Sequence, residues 1–524
     1  MKKWKNSDKY FTKPFFNGAP LRWVIPLLLV AIALVIRLVR LDSVPELVIS
    51  YAADVGNRAI DILQQGLPTG FFRYHPGTVG ESQNSFVYLS LILASFRLLG
   101  PGIFSLRLVD VLLGTASVLV MYDLCERLGG RKAAIYSALT LSFSFFHVTF
   151  SRVGIYTMAT FLHALVVLDA LVVLWKNGRF RRALPFCLGA VIPFAFDLYA
   201  IERPLIVFVL FVASVLLIRR RNLVGWILFL LPTVAYLFLM LRNPAFSFRL
   251  FIGANGSWPT DVNVFMRTPE MTIVSEAVPV GVALGNLLFN VRSFSADFVR
   301  APYLYPLAVL GSLFGVLTLA RKWNNVPALT ALAASLAMVA APFLVFPLSS
   351  RLLLFLIPVY FSTGLLLDRL RAWLPRTGLF LVIVLLGVDA FLNLRHLTGH
   401  GFTGVLRDDI FSEAGQRQVA DQIVRMPRAE PVLVLRWGKP HENSCIRFML
   451  ASQGFPLSNV RFLDPCPDLE AELWKARAAR FQGSAIFAEK DPVRSPLEKQ
   501  FRLSDMNKFV GRDIVFVHAS ITAR

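Results

Sequence analysis

Charge is what this sequence has least of: 17% of its 524 residues are charged, while more than half are apolar. A soluble chain of that length would bury a large core but would still need a charged surface, so a soluble globular protein is excluded. Motifs that carry chemistry are also scarce. There is no Cys-x-x-Cys pair, no His-Glu-x-x-His and no phosphate-binding Gly-x4-Gly-Lys loop, which removes support from metal hydrolases and nucleotide-driven pumps. No internal repeat or low-complexity tract is present. Of the four cysteines, Cys125 and Cys187 sit in or beside apolar runs and read as packing residues. Cys445 and Cys466 lie in the last part of the chain, where a disulfide and two buried thiols are both open readings.

The apolar residues come in blocks of roughly 17 to 22, each long enough to cross ~30 Å of hydrocarbon. Eleven spans can be drawn, near 22–40, 107–126, 133–150, 157–175, 183–200, 203–220, 223–241, 303–320, 327–347, 351–367 and 378–394. The first follows the basic head "MKKWKNSDKYFTKPFF". It is long for a signal core, contains Arg37 and lacks a small-residue cleavage site, so it reads as a retained helix.

The net charge of +21 is unevenly spread. The last 130 residues hold 19 basic and 15 acidic side chains, so +17 of it lies in the membrane part, mostly in short loops. That distribution points to anionic lipid headgroups and away from nucleic acid. The clusters are Lys2, Lys3 and Lys5; Arg127, Arg131 and Lys132; Lys176, Arg179, Arg181 and Arg182; Arg219 to Arg221; Arg321 and Lys322; and Arg369, Arg371 and Arg376. With eleven spans all six fall on one side, which is then cytoplasmic. The expectation is a multi-pass protein of the cell (inner or plasma) membrane, with its N-terminus cytoplasmic and its C-terminus outside.

Three long pieces then face outward: 41–106, 242–301 and everything after 395. The expected division is a transmembrane domain, 1–394, and a small extracytoplasmic α/β domain, 395–524. In the latter, "PVLVLRWG", "NVRFLD", "SAIFAEK" and "RDIVFVH" read as short buried strands. In the first outer loop, Ala59, Ile60, Ile62 and Leu63 have the spacing of an amphipathic helix on the membrane interface. "SFVYLSLILASFRLLG" reads as a second helix at the membrane surface.

The chemistry should therefore face outward. Asp54, just beyond the first span, is placed to act as a general base, against the plainer reading of an acid favoured by a helix N-terminus. Arg152, the turn containing Tyr199, Glu202 and Arg203, and Arg351 lie at outer ends of spans. Any one arginine there reads as snorkelling to headgroups. Three of them with a lone acid suit a pocket for a phosphate at the lipid–water boundary.

The order of these pieces carries a resemblance. A first span, an acid-headed outer loop, "SLRLVDVLLG", "HVTFSRVG", "DLYAIERP" and an arginine opening a late span before "LIPVYF" resemble the C-type, polyprenyl-phosphate-sugar-dependent glycosyltransferases. The branch is the protein mannosyltransferase and aminoarabinose lipid A transferase superfamily, and the resemblance covers roughly 22–395. It implies a C-type glycosyltransferase fold and an inverting transfer from a polyprenyl-phosphate sugar to a protein, lipid or glycan acceptor. It makes Asp54 the base, with Arg203, Arg351 and, more weakly, Arg152 holding the lipid phosphate. It makes no cofactor certain and leaves a divalent metal open. The chain departs from the family pattern at Val55, where an acid usually follows Asp54, and at "GESQNSF". His75 and Glu81 become candidates for the missing polar roles beside Tyr199 and Glu202, though each also reads as an ordinary loop residue. The alternative of a lipid-saccharide carrier or flippase needs no catalytic acid. It would be expected to show repeated halves and mid-membrane charge.

Overall fold

The computed structural model describes residues 21–43, 48, 50–66, 85–176, 183–198, 202–242, 305–321, 353–398, 413–435, 444–463, 482–488, 497, 501–510 and 515–523. The helices of the first part are α1 (Leu21–Leu38), α2 (Ser50–Gln65), α3 (Phe86–Leu99), α4 (Ile103–Gly129), α5 (Arg131–Phe143), α6 (Phe145–Phe150) and α7 (Thr157–Lys176). They continue with α8 (Ala183–Val191), α9 (Phe194–Asp197), α10 (Arg203–Arg219), α11 (Leu223–Arg242), α12 (Pro306–Arg321), α13 (Leu356–Trp373) and α14 (Gly378–Thr398). Every expected span falls on one of these helices or a pair of them, except 327–347, which lies outside the described residues. Among the described residues, four helices are long and apolar enough to cross a membrane, and five shorter ones are apolar. The chain is a polytopic helical membrane protein.

Two expected spans are broken, each for a local reason. At Ser144 the backbone turns out of the helix (φ −50°, ψ 113°), its N–H closing α5 on Thr140 and its hydroxyl accepting from His147 N–H to open α6. Between α8 and α9 stands Pro193, which has no backbone donor for a continuing ladder.

Lipid tails are as apolar as leucine, so helices in a bilayer associate through close packing, which favours small residues at contacts. Gly311 and Gly315 of α12 lie against Thr363 and Ser362 of α13, and Gly364 of α13 lies against Ser137 of α5; a Cβ at any of the three would overlap its neighbour. The break at Ser144 is a polar hub in this packing. Tyr360 donates to Ser144 Oγ (2.7 Å), and Phe145 N–H donates to Asn393 Oδ1 (2.8 Å), which ties α13 and α14 to the break. Arg37 of α1, fully buried, donates to Ala33 O (2.8 Å), Ser151 Oγ (3.2 Å) and His147 Nδ1 (2.7 Å). A guanidinium only donates, so Nδ1 accepts and the His147 ring proton sits on Nε2.

The first-loop helices form as expected, but the apolar face of α2 meets protein. Ala59, Ile60 and Ile62 are buried in the main core, and α2 packs on α3 and on a helix of the C-terminal part. Ser85 caps α3 by accepting from Tyr88 N–H (3.1 Å), and Tyr88, Leu89, Ile92 and Phe96 form its buried stripe.

The C-terminal part contains α15 (Glu413–Val424), β1 (Val432–Leu435), α16 (Ser444–Ser452), β2 (Val460–Leu463), β3 (Gln482–Ala488), β4 (Phe501–Val510) and β5 (Val515–Ala523). The strands form one sheet in the order β2-β1-β3-β5-β4, with β1 parallel to β2 and β3, and β5 antiparallel to β3 and β4. All the expected strands appear. β4 is additional: its sequence, "FRLSDMNKFV", is half polar, and it occupies an edge, pairs with β5 and is irregular between Ser504 and Asn507. Ser484 Oγ donates to Glu430, which leaves His518 Nε2 as the donor to Ser484 Oγ (2.8 Å). Burial holds the His518 pKa below the ordinary imidazole value, with Glu430 pulling the other way.

Candidate functional site

Asp54 sits a turn into α2, half-buried. Its helix is gripped on one side by the turn between α6 and α7. Gly154 there has φ +85°, which favours glycine, and a Cβ at that position would lie 3.3 Å from the Ala52 methyl. The turn is fixed from α4 by Asp110, whose Oδ2 accepts from Ile155 N–H (2.7 Å), and Tyr156 meets Tyr88 of α3 edge-on at 6.4 Å.

The C-terminal end of α1, where the chain leaves for α2, is held by two buried arginines. Arg152 donates to Val39 O (2.6 Å) and Ile36 O (3.3 Å), and Arg107 donates to Leu41 O (2.8 Å). The last carbonyls of a helix need donors and carry its negative end, so cations suit them. Burial and the neighbouring Arg40 lower the Arg152 pKa to about 10, and it stays a cation at neutral pH.

Glu202 is fully buried and pairs with His163 Nδ1 of α7, whose Nε2 reaches Val191 O (2.8 Å). Nε2 donates to that carbonyl, so a second proton lies between Nδ1 and the carboxyl. The pair joins α7, the end of α8 and the start of α10. Arg203 follows Glu202 directly and opens α10. Helix α3 packs on α2, which carries Asp54, and also on α4 and α9.

Of the other expected site residues, Tyr199, Arg351, His75 and Glu81 lie outside the described residues. Cys445 Sγ donates to Val48 O (2.9 Å); Cys466 is outside the described residues. Among the described residues, no group of three or more His, Cys, Asp or Glu could hold a metal ion. Arg107, Asp110 and His163 were not singled out from the sequence. The available signal was an ionisable residue inside an apolar run, which is costly in a membrane unless it has a partner.

The fold over almost the whole chain is that of ArnT. The crystal structure of ArnT from Cupriavidus metallidurans bound to undecaprenyl phosphate superposes with a TM-score of 0.62 at 15% identity, covering 95% of this chain and 98% of that one. The apo ArnT structure from the same organism gives 0.61 at 17% identity, covering 96% and 98%. At the sequence level, the family described as dolichyl-phosphate-mannose-protein mannosyltransferase matches residues 83–244, from the approach to α3 through α11. No curated protein sequence matches this chain. The chain therefore shares the ArnT fold across almost its whole length and the mannosyltransferase family pattern over residues 83–244.

Proposed function

We propose that this protein is a membrane glycosyltransferase that moves a sugar from a polyprenyl-phosphate donor to an acceptor on the outer face of the membrane, with inversion. The observation that carries the reading is the setting of Asp54. It lies on the first helix after α1, held against the 151–156 turn, in a fold shared with an ArnT solved with undecaprenyl phosphate bound.

In this reading Asp54 takes the proton from an acceptor hydroxyl as the oxygen attacks the anomeric carbon. The bond from that carbon to the phosphate oxygen breaks on the opposite face, and the lipid phosphate leaves with its electron pair. Charge grows on the phosphate as the bond breaks, and fixed guanidinium groups stabilise it most where water is excluded. Arg203 and Arg351 take that role. Arg152, whose guanidinium reaches the α1 carbonyls, adds its charge from behind and fixes the exit of the chain toward α2. The C-terminal α/β unit lies on the same outer side.

The test is Asp54→Asn in cells that express the chain, with envelope glycans compared by mass spectrometry. A positioned general base contributes about 10²- to 10⁴-fold, so the transferred product should fall by about 100-fold or more while the unspent lipid-linked sugar accumulates. Full transfer by the variant would overturn the assignment of Asp54 as the base.

A further inference from the structure

Helix α16 belongs to the C-terminal unit, where it packs on α15, yet it also packs along α2, some 390 residues earlier in the chain. The contact is specific. Phe448, fully buried, lies flat beside Phe96 of α3 (ring centroids 6.3 Å, planes 21° apart) and directly over Gly56 of α2. A Cβ on Gly56 would lie 2.5 Å from Phe448 Cε2. Glycine weakens a helix interior, and here it makes room for the ring. One turn back on α16, Cys445 donates to Val48 O (2.9 Å), just ahead of α2. Arg447 pairs with Asp61 (2.9 Å), but both side chains are more than a third exposed, so that pair adds little.

Asp54 thus lies between two contact points on its own helix. Ala52 meets Gly154 of the membrane part, and Gly56 meets Phe448 of the C-terminal unit. We propose that α16 is a positioning element for the acid helix, with Phe448 and Cys445 fixing the register of α2 against the 151–156 turn. The C-terminal unit is then part of the catalytic geometry. This rests on reading Asp54 as the base. A carboxylate displaced by about 1 Å from the reacting hydroxyl loses on the order of 100-fold in rate, so a loosened α16 acts on transfer without touching the donor site.

The experiment uses the full chain in lipid nanodiscs, with amide hydrogen exchange and undecaprenyl phosphate binding as readouts, and envelope glycan yield in cells. Phe448→Ala and Gly56→Ala should each speed exchange in residues 50–65 by about tenfold or more while α4 and α7 keep their protection. Each should also lower transferred glycan by about tenfold or more, with undecaprenyl phosphate binding within about twofold of the unmodified chain. The double variant should lose less than the product of the two, because alanine at 448 frees the space a Cβ at 56 needs. If Phe448→Ala does not fold, Phe448→Leu gives the same pattern with smaller amplitude. Unchanged exchange in α2, a rise shared by all helices, or loosened α2 with full transfer would overturn the proposal. Asp54→Asn, run alongside, separates the two ideas: if it keeps full transfer while α2 loosens in the Phe448 variant, the base reading has failed and the α2–α16 contact stands.

Discussion

The two ends of the helical bundle handle charge in opposite ways. At the end away from Asp54, Arg127 meets Asp169 at 3.0 Å and also Asp123, Lys176 reaches Arg127 O, and Arg220 donates to Leu174 O at 3.0 Å. These groups are partly exposed, with Arg127 at 33%. At the Asp54 end, Arg37, Arg107 and Arg152 are buried and their guanidinium groups hold backbone carbonyls and hydroxyls in place. The first end behaves as a surface that answers its own charge. The second uses cations as construction, and so builds positive potential beside the helix that carries Asp54. An anionic lipid phosphate suits the second end.

The contrast can be broken by substitution. Arg37→Ala leaves several buried acceptors without a donor, and hydrogen bonds to charged groups contribute about 1.5–3 kcal/mol each, so the variant should lose at least about 3 kcal/mol of stability in detergent thermal unfolding. Gly154→Ala places a side chain at φ +85° and presses on Ala52; about 1–3 kcal/mol is the cost of such strain, and transfer should fall with it. Arg127→Ala should cost less than Arg37→Ala, about 1–2 kcal/mol, because Arg127 is 33% exposed although its partners Asp123 and Asp169 are only 24% and 17% exposed. An Arg127 loss equal to that of Arg37 would erase the distinction between the ends. The smallest effect concerns pH. His518 has a lowered pKa in the folded state, so it favours the fold as neutral imidazole. Its contribution is present above its unfolded value of about 6.5 and is lost as pH falls through the folded value. The C-terminal unit should soften on acidification, and His518→Gln should blunt that response.

The helices were legible because apolar run length and loop charge are direct physical constraints on a membrane chain. Their breaks were harder to read. Ser144 sits in the unbroken-looking run "LSFSFFHV", and only its hydrogen bonds to Thr140, His147 and Tyr360 show that it ends one helix and begins another. Strand β4 escaped because its apolar alternation, Phe501 and Leu503, is short and is broken by the irregularity between Ser504 and Asn507. The apolar face of α2 was read as membrane-facing because its cover, Phe448 on α16, comes from the far end of the chain. Asp110 and Arg107 escaped for the same reason: their partners, Ile155 and Leu41, are distant in sequence. Arg152 was legible as an outer arginine, but the carbonyls of α1 that it holds were not.

The most direct measurement is undecaprenyl phosphate binding to the full chain in nanodiscs, comparing the unmodified protein with Arg203→Ala and Arg351→Ala. Each lost charge-assisted contact corresponds to about 1.5–3 kcal/mol, or roughly 10- to 100-fold in affinity, and both variants should weaken binding by that much. Unchanged affinity in both would contradict a lipid-phosphate site at the Asp54 end.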